Sequence, residues 1–429
     1  MTNSRTRRTV LFVAFFLALT AHVSDAFAQA PLRTFRGQTM GTTYMVKIFG
    51  SSDVDDDIRI AIDAELRQVN DQMSTYLKTS ELSRFNASLS TDWFDVSSDT
   101  ASVVAFAQEV AKKTNGAFDV TVGPLVNAWG FGPGERTGKA PDQSVLDELQ
   151  KSIGYQHLQV RLDPPALKKS VATLKVDLSA IAKGHGVDRI VALLAKAGAT
   201  DVFVEIGGEV RVSGSKTGKP WTVGIQLPDA DAVTPMIAHP LSISEDESMA
   251  TSGDYRNFFV DEEKRYSHTI DPRTAKPISH TLASVSVVTE SCMMADAWAT
   301  AINVLGPDDG LELAKSELIS VLLINRNEGK YERMGTGTLA QYATEKASIT
   351  GEAAMALGQQ NALPTILLSA VVMALIVMAM AVGVIFGRKS ISGSCGGLAN
   401  KQNEDGSSSC ALCSNPSDAC QELREKMAK

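Results

Sequence analysis

The sequence predicts an α+β fold, a single mixed α/β domain. Strand-like runs at 43–48, 202–206, 221–225 and 284–288 alternate with segments of helical period at 55–73 and 101–113. The two kinds of segment interleave without regular βαβ spacing, which favours antiparallel strands over a doubly wound sheet. No internal repeat is evident.

Taken in order, residues 43–48 (TYMVKI) carry the period-two pattern of a half-buried strand, and Gly41 allows a sharp turn before it. In 55–73 the apolar positions Ile58, Ile62, Leu66 and Val69 repeat at helical spacing. Ser80 is placed to cap a short helix, with Ser83 nearby. Residues 101–113 form a further helix that Gly116 stops. The run at 116–125 (GAFDVTVGPL) is strand-like, with Asp119 between apolar neighbours. A carboxylate buried there must find donors, from a ligand ring or from backbone amides. Residues 175–184 (KVDLSAIAKG) read as a strand passing into a helix. Residues 202–206 are a buried strand ending in Gly207-Gly208, which would let the backbone approach a ligand.

The chemistry concentrates in a few of these segments. Asp296 and Thr300 lie four residues apart in a helical stretch, so both oxygens project from one face. A carboxylate beside a hydroxyl suits Mg²⁺, which takes few protein oxygens and keeps other positions for water and substrate phosphate. The helix start near Asp177, Ser179 and Lys183 offers amide groups and a point charge to a diphosphate. Met40 and Tyr76 are candidates to line a planar ring. His268, in a dense polar stretch at 266–274, is the best general acid or base of the large domain; His157, His185, His239 and His280 lack such surroundings.

Composition sets the class. The chain has 429 residues, 44% hydrophobic and 21% charged, with a formal net charge of −8. That balance, without a concentrated basic face, argues against nucleic acid as a partner. Residues 1–30 have the basic, apolar and small-residue regions of a cleaved secretory signal. The domain then covers 31–345 and a polar, Ala-rich linker 346–362. Residues 363–387 contain an uncharged apolar run long enough to cross a membrane as one helix. Arg388 and Lys389 follow it and mark the cytoplasmic end. This predicts a single-pass protein of a bacterial inner membrane, with a periplasmic domain and a cytoplasmic tail at 388–429. Cys292 is the lone cysteine of the exported part, whereas Cys395, Cys410, Cys413 and Cys420 cluster in the tail, where reduced thiols suit a metal such as iron or zinc.

Together these segments resemble the ApbE family, the FAD:protein FMN transferases, over about residues 35–340. The resemblance rests on MGTTY, MSTY with SELSRFN, GAFDVTVGPL, VDLSAIAKG, IGGEV, TSGDY, SHTIDPRT and ADAWATA in that order. It implies flavin transferase activity, with FAD as substrate, a Thr or Ser hydroxyl of a target protein as FMN acceptor, and AMP as the leaving product. It implies flavin or adenine contacts from Met40, Tyr76, Ala117, Phe118, Asp119, Asp177, Lys183 and Ile270. It implies Mg²⁺ held by the Ala180 carbonyl, Asp296 and Thr300, with His268 assisting proton removal. The span and tail resemble NqrM-type maturation proteins, carried by 378–389, 393–398, Cys410-x-x-Cys413 and Cys420. That resemblance implies a role in maturing the Na⁺-translocating NADH:quinone reductase. The expected protein substrates are NqrB/NqrC- or RnfD/RnfG-type subunits. A Mg²⁺-dependent FAD pyrophosphatase and a non-enzymatic flavin-binding assembly factor are the alternatives.

Overall fold

The structure is a computed structural model that describes residues 32–50, 57–133, 138–216, 218–228, 237–243, 246–255, 257–327 and 330–343. The expected signal, linker, membrane span and Cys-rich tail all lie outside the described residues. No described helix is long and apolar enough to cross a membrane.

The centre is an eight-stranded sheet, antiparallel throughout. Its strands are β1 (Leu32–Thr39), β2 (Thr42–Phe49), β3 (Asp201–Ile206), β4 (Glu209–Ser213), β5 (Ser248–Gly253), β6 (Leu282–Thr289), β7 (Ser320–Asn327) and β8 (Lys330–Gly335), hydrogen-bonded in that order. The α+β expectation therefore holds, and chain order matches sheet order. The helices that matter here are α1 (Ile58–Met73), α2 (Ser98–Lys113), α3 (Ala182–Lys196) and α4 (Cys292–Leu305).

Strand alternation sorts side chains to two faces. Tyr44, Val46, Ile48, Val202, Val204 and Ile206 pack against Ile62 and Leu66 of α1 and Ile190 and Leu194 of α3. Val285, Val287, Val321 and Leu323 pack with α2 and α4. On the opposite face, Phe49, Phe203, Val212, Leu322 and Ile324 meet Trp221, Val223 and Ile225 of a separate strand (Trp221–Gln226). α4 is buried on nearly every side, through Ala295, Ala297, Trp298, Ala299, Ala301 and Ile302. Asp296, only 3% exposed, is the charged exception.

Two strand expectations fail, for one physical reason. Residues 116–122 form turns and irregular backbone rather than a strand, and 174–178 have no regular secondary structure and join no sheet. Backbone groups there are satisfied by a side chain and by one another instead of by a ladder. The Asn86 side chain donates to the Val176 carbonyl at 2.8 Å and accepts from the Val176 amide at 2.7 Å. The Asp177 amide donates to the Val120 carbonyl at 2.7 Å. One asparagine thus stands in for a neighbouring strand and aims Asp177. Asn86→Ala strands both groups of buried Val176, so thermal or urea unfolding should report a loss of about 1–3 kcal/mol. The helix expected at 101–113 begins three residues earlier, because Ser97 caps it by accepting from the Thr100 amide.

Candidate active site

A cavity of about 510 Å³ opens beside the middle of the sheet. It lies among the β3–β4 turn, the end of β5, the segment 117–133 with its short helix Gly123–Ala128, the loop 177–180, the start of α3 and one face of α4. Tyr76, Ala117, Phe118, Asp119, Asp177, Ala180, Lys183, His268, Ile270, Asp296 and Thr300 all line it. Met40 lines a smaller recess of about 120 Å³ that shares Tyr76, Asp177 and Lys183 with the main cavity.

The sequence explains how each group is set in place. Met40 and Gly41 form the two-residue turn between β1 and β2, both in the left-handed region at φ 49° and 72°. Met40 rests on Gly186 of α3, where a Cβ would come within 2.8 Å of the Met40 methyl carbon. Tyr76 is 69% exposed and stands at the rim, on a turn whose Tyr76 and Leu77 amides donate to the Ser74 hydroxyl. Ser80 caps the helix Glu81–Ala87 as expected, while Ser83 donates its hydroxyl to the Ser74 carbonyl.

Asp119 is buried, and its donors come from the protein. One oxygen accepts from the Thr121 amide and hydroxyl at 2.8 and 2.7 Å; the other accepts from the Tyr155 amide at 2.6 Å. Burial pushes its carboxyl above the usual range, and those hydrogen bonds oppose the shift. Asp177 accepts from the Ser179 amide in an Asx turn just ahead of α3.

The polar centre is Lys183, Glu209 and Asp296. The Lys183 ammonium lies 2.6 Å from Glu209 Oε1 and 3.6 Å from Asp296 Oδ1. Burial pulls the ammonium's pKa down, but the Asp296 and Glu209 charges outweigh that and hold it above its ordinary value. Burial likewise pushes Glu209 up, and Lys183 only partly offsets it. Asp296 Oδ2 accepts from the Gly184 amide at 3.0 Å. That amide belongs to the first turn of α3, where donors lack intrahelical partners and the helix dipole favours a negative group.

Thr300 lies one turn further along α4, its hydroxyl 3.2 Å from that of Ser252. Asp296, Thr300 and Ala180 thus line one cavity. Among the described residues no three His, Cys, Asp or Glu side chains converge. A cation here would be held by one carboxylate with hydroxyl and carbonyl oxygens, a set that fits Mg²⁺ with open positions.

His268 is the one histidine among the described residues that lines the cavity. Its Nδ1 lies 3.0 Å from the Asn257 carbonyl, an acceptor only, so Nδ1 carries the hydrogen and Nε2 is left to accept. Burial lowers its pKa, which keeps the ring neutral near pH 7.

The structure also places in the cavity residues that sequence reasoning did not select as site residues. Glu209, Ser252, Asn257 and Asn303 are the main ones. Glu209 and Ser252 sit in segments already suspected, directly after Gly207-Gly208 and within TSGDY. Glu209 Oε2 and Asn303 Oδ1 are buried without a hydrogen-bond partner among the described residues.

A cavity that joins apolar and aromatic walls to buried charged groups beside an antiparallel sheet is the kind of site that holds a small molecule. Comparison with known proteins makes the assignment specific. The ApbE family model matches residues 40–323. The FAD:protein FMN transferase of Vibrio cholerae is 41% identical over 312 residues, covering 72% of this chain and 92% of the relative. That of Escherichia coli K12 is 36% identical over 309 residues, covering 69% and 85%. The solved structure of the flavin transferase ApbE from Vibrio cholerae superimposes with a TM-score of 0.67 at 39% identity, covering 73% of this chain and all of that one. The apo form of the Pseudomonas stutzeri flavinyl transferase ApbE gives a TM-score of 0.64 at 34% identity, covering 74% and 99%. The chain belongs to the ApbE family. A second family model, (Na⁺)-NQR maturation NqrM, matches residues 384–429, which lie outside the described residues.

Proposed function

We propose that this chain is a Mg²⁺-dependent FAD:protein FMN transferase. The observation that carries this is the convergence of Asp296, Thr300, Lys183 and His268 on one cavity lined by Tyr76, Phe118 and Ile270. Its relatives' names support the same activity.

The reaction needs a Thr or Ser hydroxyl of the acceptor protein to attack the flavin-side phosphorus of FAD. The new P–O bond replaces the P–O–P bridge, AMP departs, and the hydroxyl proton goes to a base. Such transfers depend on positioning and charge neutralisation more than on covalent help from the protein. Asp296, Thr300 and the Ala180 carbonyl would hold Mg²⁺, which when bound neutralises the diphosphate and stabilises the leaving phosphate. Lys183, steadied by Glu209, supplies a further positive charge. His268 Nε2 takes the acceptor proton, its tautomer fixed by Asn257. The walls near Phe118 and Ile270 hold the rings; the flavin is cargo and undergoes no redox change.

Lys183→Met removes that charge. The KM for FAD should rise about tenfold to a hundredfold, as expected for losing a ~1.5–3 kcal/mol charged contact. An unchanged KM in steady-state labelling assays would place the diphosphate elsewhere.

We assign the targets to subunits of the Na⁺-translocating NADH:quinone reductase or the related Rnf complex, the first supported by the NqrM match. In this proposal residues 363–387 anchor the chain in the inner membrane with its catalytic domain outside. The tail then assists maturation of the same complex, with Cys395, Cys410, Cys413 and Cys420 holding iron or zinc. Co-expression with each candidate subunit, read by in-gel flavin fluorescence, tests the assignment. A fluorescent subunit band is expected, and dark bands for every candidate would refute the targets.

A further inference from the structure

We infer that Asp188 is a positioning residue for the cation site. This rests on the transferase proposal and extends it to a side chain outside the cavity. Asp188 lies on α3, one turn beyond Gly184. Its carboxylate closes over the N-terminus of α4. Oδ1 accepts from the Cys292 amide at 3.0 Å, and Oδ2 accepts from the Met293 amide at 2.9 Å and the Ser291 hydroxyl at 2.8 Å. Arg211 of β4 donates to Oδ1 at 2.6 Å, which fixes the carboxylate's own orientation.

Ser291, the formal cap of α4, reaches only the Met294 amide, at 3.4 Å. Asp188 therefore supplies acceptors for the first two orphan amides of α4 from a different helix, and so ties the end of α4 to α3. One turn along each helix is a second tie, from the Gly184 amide to Asp296 Oδ2 at 3.0 Å. The two helices are thus joined at two levels. They approach so closely at Gly184 that a Cβ there would lie 2.2 Å from the Cys292 carbonyl oxygen. With both rungs made, α4 cannot slide or turn against α3. Asp296 Oδ1 and the Thr300 hydroxyl then face the cavity beside Ala180 and Lys183. Without Asp188 the polar ties that remain between the two helices, from the Gly184 amide and the Lys183 ammonium, both fall on Asp296, the carboxylate that must also hold the metal.

Groups that orient a ligand from outside the coordination sphere typically govern metal affinity by about 10–100-fold. The test is Mn²⁺ binding, as a stand-in for Mg²⁺, by the full-length chain followed by electron paramagnetic resonance, alongside the Mg²⁺ dependence of acceptor labelling. Asp188→Ala should weaken Mn²⁺ binding and raise the half-saturating Mg²⁺ concentration, each about tenfold or more. Asp188→Asn, which keeps one acceptor oxygen, should fall between Asp188→Ala and wild type. Ser97→Ala removes a cap from α2, remote from the cavity, and should lower the melting temperature without changing either metal readout. Wild-type Mn²⁺ affinity in Asp188→Asn or in folded Asp188→Ala would overturn the inference while leaving the transferase proposal standing. Equal loss of affinity in Ser97→Ala would reduce Asp188 to general stability and overturn it too. A wild-type chain that labels acceptors but binds no Mn²⁺ would remove the metal site itself, and the inference with it.

Discussion

Asp296→Ala should abolish acceptor labelling while the domain still folds. The fall should be about 10³-fold or more, because a metal stabilises transferring phosphate by several kcal/mol, roughly 4 here. The physical case is the unusual placement of this carboxylate. It is 3% exposed and is the one charged side chain on a helix buried mainly through apolar groups. Its charge is matched instead by Lys183 at 3.6 Å and the Gly184 amide at 3.0 Å. Asp296→Asn separates charge from shape. It retains an oxygen for the Gly184 amide and adds little volume change, yet presents a neutral ligand to the cation. Labelling should be lost in both variants, with far-ultraviolet circular dichroism unchanged. Normal labelling in either would show that the reaction does not use this carboxylate.

His268→Ala should lower the labelling rate by about 10²–10⁴-fold, the usual contribution of a positioned base. FAD binding, followed by quenching of flavin fluorescence, should persist. The pH dependence carries a sign. Burial lowers the His268 pKa, so the neutral, proton-accepting ring is the dominant form at and above the ordinary histidine value of about 6.5. As pH falls through the lowered pKa the ring protonates, so the wild-type rate should hold to below that value and then drop. The residual activity of His268→Ala should lack this acid limb. A limb that survives in the variant would belong to another group, with Glu209 the next to try.

Much of the site was legible in the sequence because its chemistry is local. Asp296 and Thr300 are one helical turn apart, so spacing alone put them on one face. Lys183 and Asp177 flank a helix start, and Ser80 caps where its residue type predicts. The turn at Met40-Gly41 and the break at Gly207-Gly208 follow from glycine's access to positive φ. What resisted was long-range. Nothing near residue 176 announces that Asn86, ninety positions away, occupies its backbone groups. The apolar alternation at 116–122 and 175–178 thus mimics strands that do not form. Glu209 was hidden as one acid on a strand, because its meaning comes from burial beside Lys183. Asp188 reads as an ordinary helix-surface acid until α4 is seen to start against it. The span and tail remain legible only through their composition and the match to a maturation family.

In the proposed reaction FAD is split in this cavity and its FMN half moves onto a protein hydroxyl. Mass spectrometry of a purified acceptor subunit, after incubation with the full-length chain, FAD and Mg²⁺, tests it most directly. The expected result is one FMN phosphoester on a Thr or Ser of the acceptor with an equal amount of AMP, both abolished by chelating the metal. Free FMN with an unmodified acceptor, or intact FAD, would contradict it.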